Sequence, residues 1–247
     1  MKIILSPAKK MIADTDNIAP VELPAFIDKT AEILGWMKSK SKEELKAIWK
    51  CNDKIAEQNF NRLETMDLYN RLTPAVLAYE GIAFQYMAPA VFEIQQFEYL
   101  QNHLRILSAF YGILKPLDGV TPYRLEMQTK AEIEETTNLY DYWGDRLYHS
   151  VIDDSRIIIN LASKEYSKCI EKYLTPQDRY ISVTFCEASG DKMVTKGTYA
   201  KMARGEMVRF MAENNIENPV DIKKFDRLGY SFRSDLSSDA EYVFERK

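Results

Sequence analysis

The sequence predicts a single mixed α/β domain over residues 1–247, in which helices flank a mixed sheet. Short apolar runs suited to strands alternate with longer stretches of helical periodicity. Hydrophobic residues make up 46% of the chain, which is enough for a packed core. Because no internal repeat, low-complexity tract or Gly/Ser-rich linker interrupts the chain, we expect one domain.

The amino-terminal half is predicted to begin with a strand and to continue with helices. Residues 2–6 form the first apolar run, and residues 25–39 predict the first helix. A second helical stretch, residues 41–64, is interrupted at Lys50-Cys51-Asn52 and resembles a helix-hairpin-helix element, in whose turn Asn52 can adopt a left-handed conformation. An amphipathic helix over 94–107 is predicted by the spacing of Ile94, Phe97, Leu100, Leu104 and Leu107.

The carboxyl-terminal half is predicted to contain most of the strands. Two are expected at 156–161 and 180–187, and residues 192–196 are expected to pair with the latter through the Ser189-Gly190-Asp191 turn. Thr198 is expected to cap a helix that runs to about residue 214. Residues 230–232 and 242–244 predict two short final strands.

Residues 108–130 are predicted to form a binding loop. Glycines and prolines in this segment exclude a continuous helix. The same segment carries Lys115, Tyr123, Arg124, Glu126 and Lys130. Charged and aromatic side chains on a surface loop are typical of ligand binding. The alternative is a packed Ω-loop in which Arg124 and Glu126 pair only with each other.

Short motifs in a fixed order over nearly the whole chain carry a family resemblance. They are Leu5-Ser6-Pro7-Ala8-Lys9, Tyr111-Gly112, Pro122-Tyr123-Arg124-Leu125-Glu126-Met127, Asn160-Leu161-Ala162-Ser163, Glu165-Tyr166, Tyr199-Ala200-Lys201, Ala203-Arg204-Gly205 and Gly229-Tyr230. On these motifs the chain resembles the YaaA family of peroxide stress resistance proteins. The resemblance implies a cytoplasmic bacterial protein that binds DNA and protects cells from hydrogen peroxide by limiting free iron. It implies no established catalytic reaction.

Charge is unevenly distributed along a chain whose formal net charge is −4. Residues 192–209 contain five basic side chains and one acid, whereas residues 131–154 contain seven acids and one arginine. We therefore expect a basic groove on an otherwise acidic protein, built from the 45–62 helical pair, the 115–130 loop and the helix start at 196–204. The alternative is two solvated surfaces that bind no polyanion.

The groove is predicted to bind double-stranded DNA through its phosphates, without reading sequence. In a helix-hairpin-helix motif the turn offers backbone N–H groups to a phosphate. That turn usually contains Gly-x-Gly, whereas the side chains of Lys50-Cys51-Asn52 hinder close approach. Lys201 and Arg204 are also expected to form an anion pocket together with the helix start after Lys196-Gly197. The predicted DNA-binding residues are Lys9, Lys50, Lys54, Arg62, Lys115, Tyr123, Arg124, Lys130, Lys196, Lys201 and Arg204.

Other classes of site have weaker signals. Cys51, Cys169 and Cys186 lack paired spacing, which predicts free thiols in the cytoplasm. With two histidines and no paired cysteines, neither a metal site nor a cofactor is predicted. The amino terminus predicts a strand rather than a signal peptide, and no apolar run approaches the length of a membrane helix.

Two alternative functions stay open. The first is an enzyme that acts on a phosphorylated small molecule or a nucleic-acid end, with Arg124, Lys201 and Arg204 holding the anion and Glu126 as acid or base. Nucleophile and nucleotide-binding signatures are absent, so no catalytic residue is assigned. The second is a regulatory protein with a protein partner, which exposed aromatic residues in the 79–92 segment would indicate. An iron-related role is expected to act through DNA protection or a partner rather than through iron storage.

Overall fold

The fold is built on an eight-stranded mixed sheet. The structure is a computed structural model that describes residues 1–16, 18–190 and 192–247. The strands are β1 (Lys2–Leu5), β2 (Thr73–Pro74), β3 (Leu104–Ser108), β4 (Gly112–Leu114), β5 (Gly119–Val120), β6 (Ile157–Asn160), β7 (Arg179–Ser189), β8 (Lys192–Val194), β9 (Tyr230–Phe232) and β10 (Glu241–Arg246). Strands β2 and β5 form a separate two-stranded ribbon.

The centre of the sheet is parallel and its edges are antiparallel. The strand order is β4-β3-β1-β6-β7-β10-β9, with β8 paired to β7 beside this path. Strands β3, β1, β6, β7 and β10 are mutually parallel, whereas β4, β8 and β9 are antiparallel to their neighbours. The predicted mixed sheet is therefore confirmed.

Helices pack around this sheet. They are α1 (Ile27–Lys38), α2 (Lys42–Trp49), α3 (Asp53–Glu64), α4 (Ala75–Ala78), α5 (Ile82–Met87), α6 (Ile94–His103), α7 (Leu139–Trp143), α8 (Arg146–Val151), α9 (Lys164–Glu171) and α10 (Gly197–Glu213), with 3₁₀ turns at Pro89–Val91 and Pro219–Lys224. None of the helices in the described ranges is both long enough and apolar enough to span a bilayer.

Most elements lie where the sequence predicts them. The first strand, the helix near 25–39, the helical pair within 41–64 and the two final strands are confirmed. Strand β8 pairs with β7 as expected, although Asp191 of the predicted turn lies outside the described residues. Thr198 is not the cap of α10, because the helix begins at Gly197 after Lys196 and has no side-chain cap.

The helix predicted over 94–107 is wrong in its last turn. Helix α6 ends at His103, and β3 follows immediately as a strand that is buried along its whole length. Leu104 and Leu107 fit the helical spacing although they belong to a strand. A strand covered on both faces is apolar throughout, so it lacks the alternation of apolar and polar residues that marks a half-buried strand. Ile94 is 76% exposed and so does not belong to the core.

The 108–130 segment is not an exposed binding loop. It contains β4 and β5, and Phe110, Tyr111 and Leu114 are completely buried. The Ω-loop alternative also fails in detail, because Glu126 Oε1 lies 2.7 Å from Lys9 Nζ and 3.9 Å from the Arg124 guanidinium. The segment belongs largely to the core and sends only selected side chains to the surface.

Candidate functional site

A pocket of about 210 Å³ lies at the carboxyl ends of β1 and β6. These neighbouring strands connect in opposite directions, β1 towards β3 and β6 towards β7, so they form a topological switch point. In open parallel sheets, ligands bind outside the carboxyl ends of strands at such points. This switch-point pocket is lined by Leu5, Ser6, Pro7, Ala8, Lys9, Gly81, Ile82, Ala83, Phe84, Leu161, Ser163, Glu165, Tyr166, Lys201 and Arg204.

Two serines hold the floor of the pocket together. Ser6 follows β1 and Ser163 follows β6, so the parallel register brings them to the same edge. The Ser163 backbone N–H donates to Ser6 Oγ at 2.8 Å, and Ser6 Oγ donates to Ser163 Oγ at 3.1 Å. Ser163 directly precedes α9, but its side chain does not cap the helix. Its hydroxyl proton stays available to the pocket.

Two glycines let the walls of the pocket approach each other closely. A Cβ atom on Gly81 would lie 2.6 Å from the Ala8 Cβ, and one on Gly205 would lie 1.9 Å from the Ala83 carbonyl oxygen. The segment at Gly81–Ala83 therefore fits between the loop after β1 and helix α10 only because both positions lack side chains. This packing places Arg204 beside the pocket wall.

Lys201 and Arg204 are the free cations of the pocket. Within the described chain, neither has a carboxylate oxygen within 4 Å of its charged nitrogen atoms. Lys201 is exposed, whereas Arg204 is partly buried and its Nε is shielded from solvent without a hydrogen-bond partner. Burial lowers the pKa of Arg204, but a guanidinium stays protonated in proteins. The pocket thus contains a desolvated cation that lacks a counter-charge.

Two carboxylates border the same pocket. Burial raises the pKa of Glu165, an effect opposed by the backbone N–H of Gln128, which donates to Glu165 Oε1 at 3.4 Å. The like charge of Glu126 adds to the increase. Glu126 itself is occupied by Lys9, whose ammonium lies at 2.7 Å. The positive charge of Lys9 is therefore neutralised by a carboxylate, whereas the charges of Lys201 and Arg204 are not.

Basic side chains extend from this pocket towards the turn between α2 and α3. Arg124 Nη2 donates to the Trp49 carbonyl at 3.4 Å, immediately before Lys50. Exposed Lys50 and Lys130 line one shallow groove together with Gln128, which also contacts Glu165. We call Lys9, Lys50, Lys54, Arg124, Lys130 and Lys201 the basic surface.

The turn between α2 and α3 differs from its predicted conformation. Lys50, not Asn52, is left-handed, with φ 46°. Asn52 is extended and caps α3, its Oδ1 accepting from the Ile55 N–H at 3.0 Å. Lys46 and Asp53 form a solvent-exposed ion pair across the turn. Lys54, in the first turn of α3, points its exposed side chain into solvent.

Comparison with known proteins identifies the family. Residues 1–236 match the family described as peroxide stress protein YaaA. The chain belongs to this family. A UPF0246 protein of Agathobacter rectalis is 84% identical over 100% of this chain and 99% of its own. UPF0246 proteins of Lachnoclostridium phytofermentans and Ligilactobacillus salivarius are 53% and 50% identical over 99% of this chain and 96% and 99% of theirs.

Several residues predicted for DNA binding in this YaaA-family protein lie elsewhere. Tyr123 is buried, and its hydroxyl lies 2.7 Å from Ser108 Oγ and 2.9 Å from the Tyr79 hydroxyl. Burial raises the pKa of Tyr123 to about 12. Its role is in the core, because both polar contacts are internal and no surface is left for DNA.

Three predicted cations are also separated from the pocket. Lys115 follows β4, which returns towards the amino end of β3, and its ammonium pairs with Glu22 at 2.6 Å. Lys196 pairs with Glu187, so its charge is already matched within the protein. Arg62 is half-buried and donates to the Met11 carbonyl at 3.3 Å, so it supports the loop after Lys9.

Sequence reasoning did not predict Ser6 and Ser163 as pocket residues. Their signal was present, since Ser6 follows one predicted strand and Ser163 another, and the carboxyl ends of parallel strands meet at one edge. None of the aromatic residues of the 79–92 segment is fully exposed, because Tyr79 and Phe84 are buried and Tyr86 and Phe92 are half-buried. Across the described ranges, no cluster of three or more metal-ligating side chains is found.

Proposed function

We propose that this protein acts in the cytoplasm during peroxide stress by binding the phosphate backbone of duplex DNA, independently of sequence. Family membership supports the peroxide-stress role. The observation that supports DNA binding is the basic surface, on which Lys50, Lys54, Lys130 and Lys201 lack carboxylates within 4 Å in the described chain. Exposed cations without internal partners are free to replace the counterions of DNA.

Two lysines far from this surface have carboxylate partners. Lys115 contacts Glu22 at 2.6 Å, and Lys172 at the other end of α9 contacts Asp141 at 3.7 Å. The positive charge of Lys50, Lys54, Lys130 and Lys201, in contrast, is not matched by a described carboxylate within 4 Å. Such unmatched charges can meet a polyanion although the formal net charge is −4.

The phosphate contacts are expected to come from side chains rather than from the turn backbone. Asn52 already occupies one N–H group at the start of α3, and the exposed carboxylate of Asp53 stands in the same turn. A negative side chain there opposes a phosphate at the helix terminus. The exposed side chains of Lys50 and Lys54 can contact a phosphate that lies away from the Asp53 carboxylate.

Fluorescence anisotropy of a labelled duplex tests the proposal with two charge-matched double variants. Lys50→Ala/Lys130→Ala removes two unpaired lysines, whereas Lys115→Ala/Lys172→Ala removes two paired ones and gives the same net charge. We expect the first variant to bind roughly tenfold more weakly and the second to resemble the native protein. Equal losses in the two variants, or no saturable binding by the native protein, would contradict the proposal.

We also propose that the protein limits the damage caused by free iron through its action on DNA rather than by storing the metal. Shielding of the duplex would keep iron-dependent oxidation away from the backbone. Iron analysis of protein purified without added metal checks this point. Stoichiometric bound iron would argue for direct storage and against the proposal.

A further inference from the structure

Arg204 is the more buried of the two unpaired cations in the switch-point pocket. Its Nε is shielded from solvent and has no hydrogen-bond partner within the described chain, and no described carboxylate lies within 4 Å of its guanidinium. A charge that is partly removed from water and has no partner is unfavourable, and a guanidinium cannot relieve this cost by losing its proton. An anion that enters the pocket would supply the missing hydrogen bonds and charge.

The charge of the pocket fits a phosphate monoester better than a diester. Lys201 and Arg204 are two unpaired cations, and a monoester carries close to two negative charges at neutral pH. In a duplex each phosphate carries one negative charge. Two of its oxygens are bonded to sugars, so the phosphate cannot enter a pocket with one end first. A monoester presents three terminal oxygens on one end and can enter the pocket with that end first, where a guanidinium binds two oxygens together.

The remaining lining suits the organic part of such a ligand. Leu5, Ile82, Phe84 and Leu161 form an apolar wall next to the cations. The volume of about 210 Å³ equals roughly seven waters at about 30 Å³ each. Ser163, another lining residue, offers a hydroxyl proton, since its own Oγ accepts from Ser6. Glu165 is the single carboxylate among these lining residues, so cations stay in excess.

We infer that the switch-point pocket binds the phosphate monoester end of an organic ligand. Arg204 and Lys201 hold the terminal oxygens, Ser163 donates a neutral hydrogen bond, and the apolar wall covers the attached group. The ligand is a free phosphorylated small molecule or the 5′-phosphorylated end of a nucleic-acid strand, which share this chemistry. The inference goes beyond binding to the duplex backbone and does not depend on it.

Titration of the full chain with phenyl phosphate, followed by calorimetry and ³¹P NMR, tests the inference. Methyl phenyl phosphate, a diester of nearly the same shape, is the ligand control. Arg204→Met is the test variant, and Arg179→Met is matched to it, because exposed Arg179 begins β7 at the opposite edge of the sheet. Arg204→Lys, which retains the charge, guards against a general folding defect, and thermal unfolding is recorded for each variant.

We expect phenyl phosphate to bind the native protein and Arg179→Met equally, and Arg204→Met roughly 10- to 100-fold more weakly. Arg204→Lys should fall between them, and the diester should bind at least tenfold more weakly than the monoester. Absence of monoester binding at about 10 mM, equal binding to the diester, or full affinity in a folded Arg204→Met would overturn the inference.

A second arm separates the two sources of the ligand. Single-stranded oligonucleotides with and without a 5′-phosphate are compared, with phenyl phosphate as competitor. If phenyl phosphate displaces only the 5′-phosphorylated oligonucleotide, the pocket binds strand ends. If the protein binds both oligonucleotides equally and still binds phenyl phosphate, the pocket binds small molecules. Circular plasmid has no strand ends, so its binding measures contact with the duplex backbone alone. A failure of backbone binding can therefore be distinguished from a failure of monoester binding in the pocket.

Discussion

Asp118 is a buried carboxyl group that is only half satisfied. Its side chain is 3% exposed, Oδ2 accepts from the Lys115 N–H at 2.8 Å, and Oδ1 has no hydrogen-bond partner in the described chain. Burial raises the pKa of Asp118 to about 7, and the like charge of Glu22 adds to the increase, while Lys115 and Arg105 oppose it. The folded protein therefore keeps a proton on Asp118 that the unfolded chain releases near pH 4.

This difference makes stability fall as pH rises. Between about pH 4 and pH 7 the native state binds more protons than the unfolded state, so the free energy of unfolding decreases with pH. Asp118→Asn cannot titrate, and its amide oxygen can still accept from Lys115. We expect this variant to match the native protein near pH 4 and to be about 2–4 kcal/mol more stable at pH 8. Urea unfolding of both proteins across this range measures the difference, and a constant gap would contradict it.

At the scale of elements, the contact of α5 with α10 depends on one glycine. A Cβ atom at Gly205 would lie 1.9 Å from the Ala83 carbonyl oxygen, and backbone cannot move aside as a flexible side chain can. We expect Gly205→Ala to lower the free energy of unfolding by about 1–3 kcal/mol or more, since the helices must separate.

Gly35 in α1 provides a matched control for that substitution. It is exposed in a helix interior, and a Cβ atom there would meet no atom within 4 Å. Gly35→Ala should raise stability by about 0.5–1 kcal/mol, because alanine favours the helix. Thermal unfolding measures the change in stability for both variants. A loss of stability in Gly205→Ala and a gain in Gly35→Ala would support the close packing, whereas similar changes in both would contradict it.

Helices and strands whose own residues carry a clear pattern of apolar and polar positions were predictable from sequence. Elements whose burial depends on neighbouring strands were not. The polar turn at Lys50-Cys51-Asn52 divides the α2–α3 pair, so its two helices were found. Strand β3 was missed, because its burial on both faces comes from its place next to β1 in the parallel sheet. Its leucines then matched the spacing of the preceding helix.

At the scale of the whole molecule, strand register decides which predicted cations can act together. Lys9 and Lys115 each follow a strand, but β1 and β4 run in opposite directions, so the two lysines lie at opposite edges of the sheet. Tyr123 is buried by Tyr79 and Ser108, which come from distant parts of the chain. Lys201 and Arg204, which fall on the family motifs, both line the switch-point pocket because one short helix segment carries them.

The salt dependence of DNA binding tests whether the basic surface acts as one unit. If about four phosphates are neutralised, the binding constant should fall with salt concentration at a log–log slope of roughly −3.6. Lys50→Ala/Lys130→Ala removes two contacts and should flatten the slope to roughly −1.8, since each contact contributes about −0.9. Lys115→Ala/Lys172→Ala has the same net charge and should keep the native slope, because its lysines lie away from the surface. If both variants flatten the slope equally, the overall field of the protein, and not the arrangement of the basic surface, governs binding.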